Sequence, residues 1–425
     1  KLKEILIEKK EFIFYDDCWI VNPRSKKYVL YDDKPKQLGS VSLCKEKQKL
    51  IEERQTEPNK VRLEYGKGEI YRTNLLEKMI CIIINKLASL DPFGVGIEME
   101  ANKPDWYDAL NGLPALFGSS ISETMELERW ILFLEDSLEK LNLDDNCTIE
   151  IAEEIFSFYS ELHSLLSSQS NDSLEDNFIF WDKSYSLKEK FRDATLFGLS
   201  GQKKQIKLSD FRGFINKAKD KVKKAISKSY NSKDKTYTTY FINEIIEYER
   251  IEGDKGKIFI RPRKFKQRPL PLFLEGFVHA LKIAEDLIEK EAIYKAVKKS
   301  GLYDKFLGMY KVNVSLQAQP EEIGRARVFT PGWLENESVW LHMEYKYLLE
   351  LLRSGLYDKF YNDFFKILIP FQDPQRYGRS ILENSSFLVS SVFPDDKLHG
   401  NGFVARLSGS TAEFLHIWLL MNIGS

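Results

Sequence analysis

Apolar residues recur at helical spacing over long parts of this chain. The clearest set is Leu75, Leu76, Met79, Ile80, Ile83, Ile84 and Leu87, which predicts a helix over 74–90 that ends at Asp91-Pro92 with Gly94 and Gly96. The same spacing predicts helices over 123–141, 149–166, 273–299 and 339–352. Near the start, the runs Phe12–Tyr15, Cys18–Val21 and Tyr28–Tyr31 are β-branched and aromatic, and Asp and Pro-Arg-Ser punctuation separates them as in short strands. A second tyrosine- and isoleucine-rich stretch, 236–263, carries the turn Gly253-Asp254-Lys255-Gly256 and reads as a strand pair set among helices. The polar stretch 45–59 reads as a solvated helix or linker, 98–122 and 167–176 as loops, and the lysine-rich 217–228 as a solvated helix face.

One heptapeptide occurs twice. Ser300 to Phe306 and Ser354 to Phe360 both read Ser-Gly-Leu-Tyr-Asp-Lys-Phe, each after a long amphipathic pattern. Each glycine falls where a helix C-cap is expected, so the pair suits two turns of an α/α repeat.

Composition narrows the class. The 425 residues carry 63 Lys plus Arg against 64 Asp plus Glu, and this balance argues against a general nucleic-acid binder. With 43% hydrophobic and 13% aromatic residues the chain can bury a large core. Cys18, Cys44, Cys81 and Cys147 are scattered without a CxxC or His/Cys cluster, so neither a zinc site nor a disulfide framework is expected. No apolar run is long enough for a membrane span, and nothing at the start resembles a signal peptide, so a soluble cytoplasmic protein is expected. A homodimer is compatible with the sequence, which does not fix the oligomeric state.

Three segments combine residue types that carry chemistry. In Glu98 to Pro114, four carboxylates, Trp106, Asn102 and Asn111 share a stretch bounded by Gly and Pro. Aromatic faces stack on sugar rings, and carboxylates and amides bind hydroxyls. A carboxylic acid in a partly apolar setting can also act as a general acid. The second segment, Pro331-Gly332-Trp333-Leu334-Glu335-Asn336-Glu337-Ser338, precedes a helix with His342 near its start. The third, Arg406-Leu407-Ser408-Gly409-Ser410-Thr411-Ala412-Glu413, opens the last helical pattern, and Ser410 with Glu413 has capping-box spacing. A Gly/Ser turn at a helix start presents N–H groups and a positive dipole end, which favour an anion such as phosphate.

Together the three segments resemble the inverting β-glucan phosphorylases: cellobiose phosphorylase, chitobiose phosphorylase and their longer oligoglucan relatives, in glycoside hydrolase families 94, 149 and 161. The group's Asp-Trp-Asn-Asp-Gly-Met-Asn motif looks like Asp105-Trp106-Tyr107-Asp108-Ala109-Leu110-Asn111. Its Pro-Gly-x-x-Glu-Asn motif, with a histidine six residues on, matches Pro331 to Asn336 and His342. Its Thr-Gly-Thr/Ser-Ala turn resembles Ser408-Gly409-Ser410-Thr411-Ala412. Order and approximate spacing agree from Gly96 to the end. The wording Asn111 to Ser120 is closest to the large oligoglucan enzymes.

The resemblance implies a mainly α fold, the later part of an (α/α)6 toroid over 71–425, with minor β insertions about 236–265 and a β-containing region over 1–70. The group's N-terminal sandwich and C-terminal β-domain are expected to be absent from this chain. It also implies reversible phosphorolysis of β-linked gluco-oligosaccharides, with β-1,3 linkage favoured by the motif wording, releasing α-glucose 1-phosphate. Inorganic phosphate is then a co-substrate and no other cofactor is implied. Asp108 becomes the general acid, with Asp105 as the alternative. His342, Ser408, Gly409, Ser410 and Arg406 become the phosphate ligands. Trp106, Asn111, Glu335, Asn336 and Glu383 become the sugar contacts. Where the cellobiose-type enzymes carry a phosphate-binding arginine, this chain has Gly112. Arg406, Arg379, Arg325 and Arg327 are the candidates to replace it. Two other readings stand beside this one: an inverting hydrolase with Glu335, Glu337 or Glu383 as base, and a non-catalytic carbohydrate-binding fragment.

Overall fold

The computed structural model describes residues 1–37, 39–99, 118–169, 171–253, 256–320, 323–405 and 409–424. Of the expected site residues, Asp105, Trp106, Asp108, Asn111, Arg406 and Ser408 therefore lie outside the described residues. The chain forms two units. One comprises the described residues of Lys1–Lys103, Glu126–Lys228 and Glu244–Lys266, the other those of Pro104–Met125, Ser229–Asn243 and Gln267–Ser425.

In the first unit, the apolar face noted above forms the helix Leu75–Leu87, which begins at Asn74, whose side chain accepts the Glu77 N–H. Leu76, Ile80, Ile83 and Ile84 are almost wholly buried. Glu77 enters this core as well. It accepts from Tyr71 Oη at 2.7 Å and from the backbone N–H of Ala152 at 3.0 Å, so the buried charge has partners. The helices Glu153–Ser168 and Leu174–Ala194 pack together, with the Phe158 and Phe191 rings 5.0 Å apart. The second opens on a capping box between Ser173 and Asp176. Short N-terminal strands pair locally: Phe12–Ile13 with Arg72–Thr73, Trp19–Val21 with Val41–Leu43, and Tyr28–Tyr31 with Lys34–Gln37.

In the second unit the hub is the helix Leu341–Arg353. It packs against Leu274–Ile283, Tyr357–Ile367 and Gly409–Ile423, and ten of its residues are buried. An antiparallel three-stranded sheet lies at its start: Ser385–Leu388 runs between Val339–Trp340 and Gly402–Ala405. Trp333 packs its ring on Phe387, Phe393 and Phe403, with centroids 4.7 to 5.6 Å away, and so ties the turn before the hub to that sheet.

Three expectations change. Strand content exceeds minor insertions: Tyr240–Glu252 and Ile258–Pro269 alone have 13 and 12 residues, and Thr148–Ala152 pairs with Lys203–Lys207. The pattern over 273–299 is two helices, Leu274–Ile283 and Leu287–Lys299, because Asp286 caps the second by accepting the Glu289 N–H. The repeated heptapeptide is not a structural repeat. In the first copy Tyr303–Asp304 is a strand paired with Met309–Tyr310, and Gly301 is outside the left-handed region. In the second copy Gly355 has φ +76° and a helix starts at Tyr357. No helix among the described residues is long and apolar enough to cross a membrane.

Candidate functional site

The turn before the hub helix is held by side chains that bond to backbone. Gly332, with φ +87°, donates its N–H to Asn336 O at 2.8 Å. A Cβ at Gly332 would lie 2.7 Å from Phe393 N, so the close approach there requires glycine. Asn336 is fully buried. Its Oδ1 accepts from Leu316 N at 3.1 Å and its Nδ2 donates to Phe329 O at 2.8 Å. That amide fixes the turn from within. Asn313 does the same from the other side, donating to Glu335 O at 2.6 Å and accepting from Glu337 N at 2.8 Å. Leu334 and Glu337 sit at φ +47° and +61°, conformations that cost non-glycine residues energy and persist only where the surroundings impose them. Glu337 is held by Lys311 Nζ at 2.7 Å, and Glu335 Oε1 lies 3.3 Å from Arg325.

From this turn the chain passes through Val339–Trp340 into the hub helix, which places His342 in the first helical turn. The helix Gly409–Ile423 starts beside it. His342 meets Gly409 and Glu413 near the two helix starts, and further along Arg353 lies 2.9 Å from His416 Nε2. The two helices therefore run in the same direction with their N-termini side by side. Each helix start carries backbone N–H groups without intrahelical acceptors and the positive end of its dipole, so the two fields add at one place.

Gly409 permits the contact. A Cβ on it would be 2.6 Å from Cε1, Nδ1 and Nε2 of His342, so the imidazole lies face-on against the glycine backbone. Glu413, one turn into the second helix, brings Oε1 to 3.6 Å from Nε2. Burial pushes the Glu413 carboxyl up, but the His342 contact and the charges of Lys346 and His416 outweigh it and leave it below the ordinary carboxylate range. Asn384 bridges the same region: Tyr345 Oη donates to its Oδ1 at 3.3 Å, and its Nδ2 donates to Thr411 Oγ1 at 3.4 Å. Ser410 is fully buried. Neighbouring Glu383 is exposed and paired with Arg379 at 3.1 Å.

The structure thus brings His342, Gly409 and Glu413 into one place, with Asn384 next to them. Of the arginine candidates, Arg325 engages Glu335, Arg379 engages Glu383, and Arg327 donates to Gln319 O. Glu413 is a residue that sequence reasoning missed. Its spacing from Ser410 pointed to a capping box, whereas its carboxylate faces His342. Among the described residues no group of three or more His, Cys, Asp or Glu is placed to hold a metal ion.

No family model and no curated protein matches the chain. Among solved structures, the GH63 mannosylglycerate hydrolase of Thermus thermophilus, in complex with Tris, aligns over 88% of this chain and 99% of its own. The identity is 10% and the TM-score 0.29, a superposition too loose to carry a fold or an activity across.

Proposed function

We propose that the chain is a glycoside-acting enzyme of the inverting phosphorylase type, built on the later part of an (α/α)6 toroid. A β-linked gluco-oligosaccharide, of β-1,3 linkage, reacts with inorganic phosphate to give α-glucose 1-phosphate and a chain shorter by one glucose. The observation that carries the reading is the imidazole of His342 lying against Gly409 where two helices begin side by side. Backbone N–H groups, two dipole ends and an imidazole at one point form a place suited to a small anion.

Each group has a role in this reading. Asp108 protonates the glycosidic oxygen as it leaves. Phosphate, with His342, Ser408, Gly409, Ser410 and Arg406 as its ligands in this reading, attacks the anomeric carbon from the opposite face. It arrives ionised, so no general base is needed. A hydrolase would instead need a second carboxylate about 6.5–9.5 Å from the acid to activate water. Trp106, Asn111, Glu335 and Glu383 contact sugar, and Asn336 acts through the turn it holds. The protein works in the cytoplasm, with the oligosaccharide and phosphate as its partners.

The test runs the reaction in reverse. Full-length protein is incubated with α-glucose 1-phosphate and a panel of β-gluco-oligosaccharides, and phosphate release is measured. Acceptor-dependent release supports the reading; release without acceptor, or none with any acceptor, speaks against it.

A further inference from the structure

We propose that the second unit carries a separate binding cleft for an aliphatic anion, a single alkyl chain that ends in a carboxylate or a phosphate. The cleft has a volume of about 1110 Å³ and lies along the helix Leu287–Lys299. Its lining shares no residue with the site around His342, so the proposal goes beyond the functional reading above and does not depend on it.

One wall follows from the sequence of that helix. Leu287 and Ile288, Glu291 and Ala292, Lys295 and Ala296, and then Lys299 recur three and four positions apart, so they share one face. At 1.5 Å per residue this face is about 18 Å long. It is apolar at its start and basic at its end. Ile288 is 82% exposed and Leu287 56%, and a ligand that covers them removes apolar surface from water. Leu270, Pro271 and Leu272 add to the apolar lining. Among the described residues no aromatic ring lines the cleft, so it offers no face on which a sugar or a base would stack. Aliphatic walls suit a flexible alkyl chain instead.

The charges of the lining decide the other end of the ligand. Lys233, Lys235, Lys295 and Lys299 stand against Asp234 and Glu291. Glu291 is taken up by Lys295, whose Nζ is 2.8 Å away, and Asp234 accepts from Asn231 Nδ2 at 2.9 Å. Lys233, Lys235 and Lys299 are exposed and have no ion-pair partner among the described residues. The chain as a whole is balanced, 63 basic residues against 64 acidic, so this excess is local. Ammonium groups beside an apolar surface attract a molecule that is anionic at one end and apolar along the rest. An ammonium is a compact charge on a flexible stem and does not read a planar head group, so carboxylate and phosphate heads serve alike. The surface is concave, which fits one chain molecule and not the flat face of a bilayer.

The experiment is calorimetric titration of the full chain with sodium acetate, hexanoate, octanoate and decanoate, each as monomers in solution, and with octanol as the uncharged counterpart. From hexanoate upwards each added CH₂ should strengthen binding about two- to fourfold, the scale of burying one methylene. Octanol should bind about fivefold more weakly than octanoate, the scale of a few exposed charge pairs. The triple variant Lys233→Gln, Lys235→Gln, Lys299→Gln changes only exposed side chains; it should lose that advantage for octanoate and bind octanol as the wild type does. Ile288→Asp, at a helix start where an acidic residue is tolerated, should weaken octanoate about tenfold. An affinity that does not rise with chain length, octanol bound as tightly as octanoate, or octanoate affinity unchanged in either variant would each overturn the proposal. Co-sedimentation with phosphatidylglycerol vesicles without binding of monomeric decanoate would overturn it too, since this face would then lie on a membrane. None of these outcomes touches the phosphate site at His342.

Discussion

Gly409 and His342 touch face to face, with the imidazole lying where a side chain on residue 409 would be. This makes the glycine testable without unfolding the protein. The atoms a Cβ would strike belong to the end of a side chain that can rotate away, not to backbone. Gly409→Ala should therefore change the melting temperature little, yet displace the ring and weaken phosphate binding by about tenfold, the worth of one hydrogen bond to a charged group. Titration calorimetry alongside thermal unfolding checks this. Unchanged phosphate affinity would mean that the imidazole has no part in the site.

Glu344 lies two residues after His342 but faces the core, where Tyr310 N donates to its Oε1 at 2.7 Å and its Oε2 has no hydrogen-bond partner among the described residues. Burial pushes its carboxyl well above the ordinary value of 4.5. The folded protein keeps this proton over a range where the unfolded chain has lost it. Stability from this group is therefore fully present below about pH 4.5 and declines as pH rises past that value. Glu344→Gln removes the decline. Its stability, followed by thermal unfolding between pH 5 and 8, should gain on the wild type as pH rises, by up to about 1.4 kcal/mol per pH unit. A constant difference across that range would show that Glu344 is ionised in the fold.

Asp363 is a hub for three partners. It accepts from Tyr294 Oη at 3.2 Å, from Lys298 Nζ at 2.8 Å and from Tyr310 Oη, and it is fully buried. Asp363→Asn leaves the ammonium of Lys298 among three tyrosine rings without its counter-charge. The expected cost is about 3 kcal/mol, against about 1 kcal/mol for Tyr310→Phe, which removes one hydrogen bond. Urea unfolding of both variants decides whether the charge or the hydrogen-bond network matters more.

In the other unit, Glu98 accepts from the indole Nε1–H of Trp181 at 2.8 Å. Burial pushes its carboxyl up to about 7; the Trp181 hydrogen bond and the nearby Lys27 and Lys188 only partly offset that. Trp181 fluorescence, isolated by difference against Trp181→Phe, should therefore change with a midpoint near pH 7. Glu98→Gln should abolish the transition. A flat profile in the wild type would contradict the assignment.

The sequence pattern showed the long helices wherever apolar spacing was regular, as at Leu75–Leu87 and Leu341–Arg353. It missed Leu174–Ala194, where charged and aromatic residues alternate too evenly to mark one face. It also misread the twin heptapeptides. Identical residues form a strand after Ser300 and a helix start after Ser354, because the downstream residues decide between them: a hairpin back to Met309–Tyr310 in one case, a new amphipathic face in the other. At the site, His342 and Gly409 were legible from their motifs. The Glu413 contact was not, because it depends on two helices lying parallel, which local spacing does not encode. The cluster of Glu344, Asp363, Lys298 and tyrosines was hidden for a similar reason: its members come from separate elements and meet only through packing.

The central claim is that phosphate, not water, receives the glucosyl group. The most direct measurement is to incubate the full-length protein with a β-1,3-gluco-oligosaccharide, with and without inorganic phosphate, and to follow the anomeric products by proton NMR. The account predicts α-glucose 1-phosphate as first product, no cleavage without phosphate, and a loss of at least about 10²-fold in Asp108→Asn, the usual scale of general acid catalysis. Free glucose released at the same rate without phosphate would contradict it.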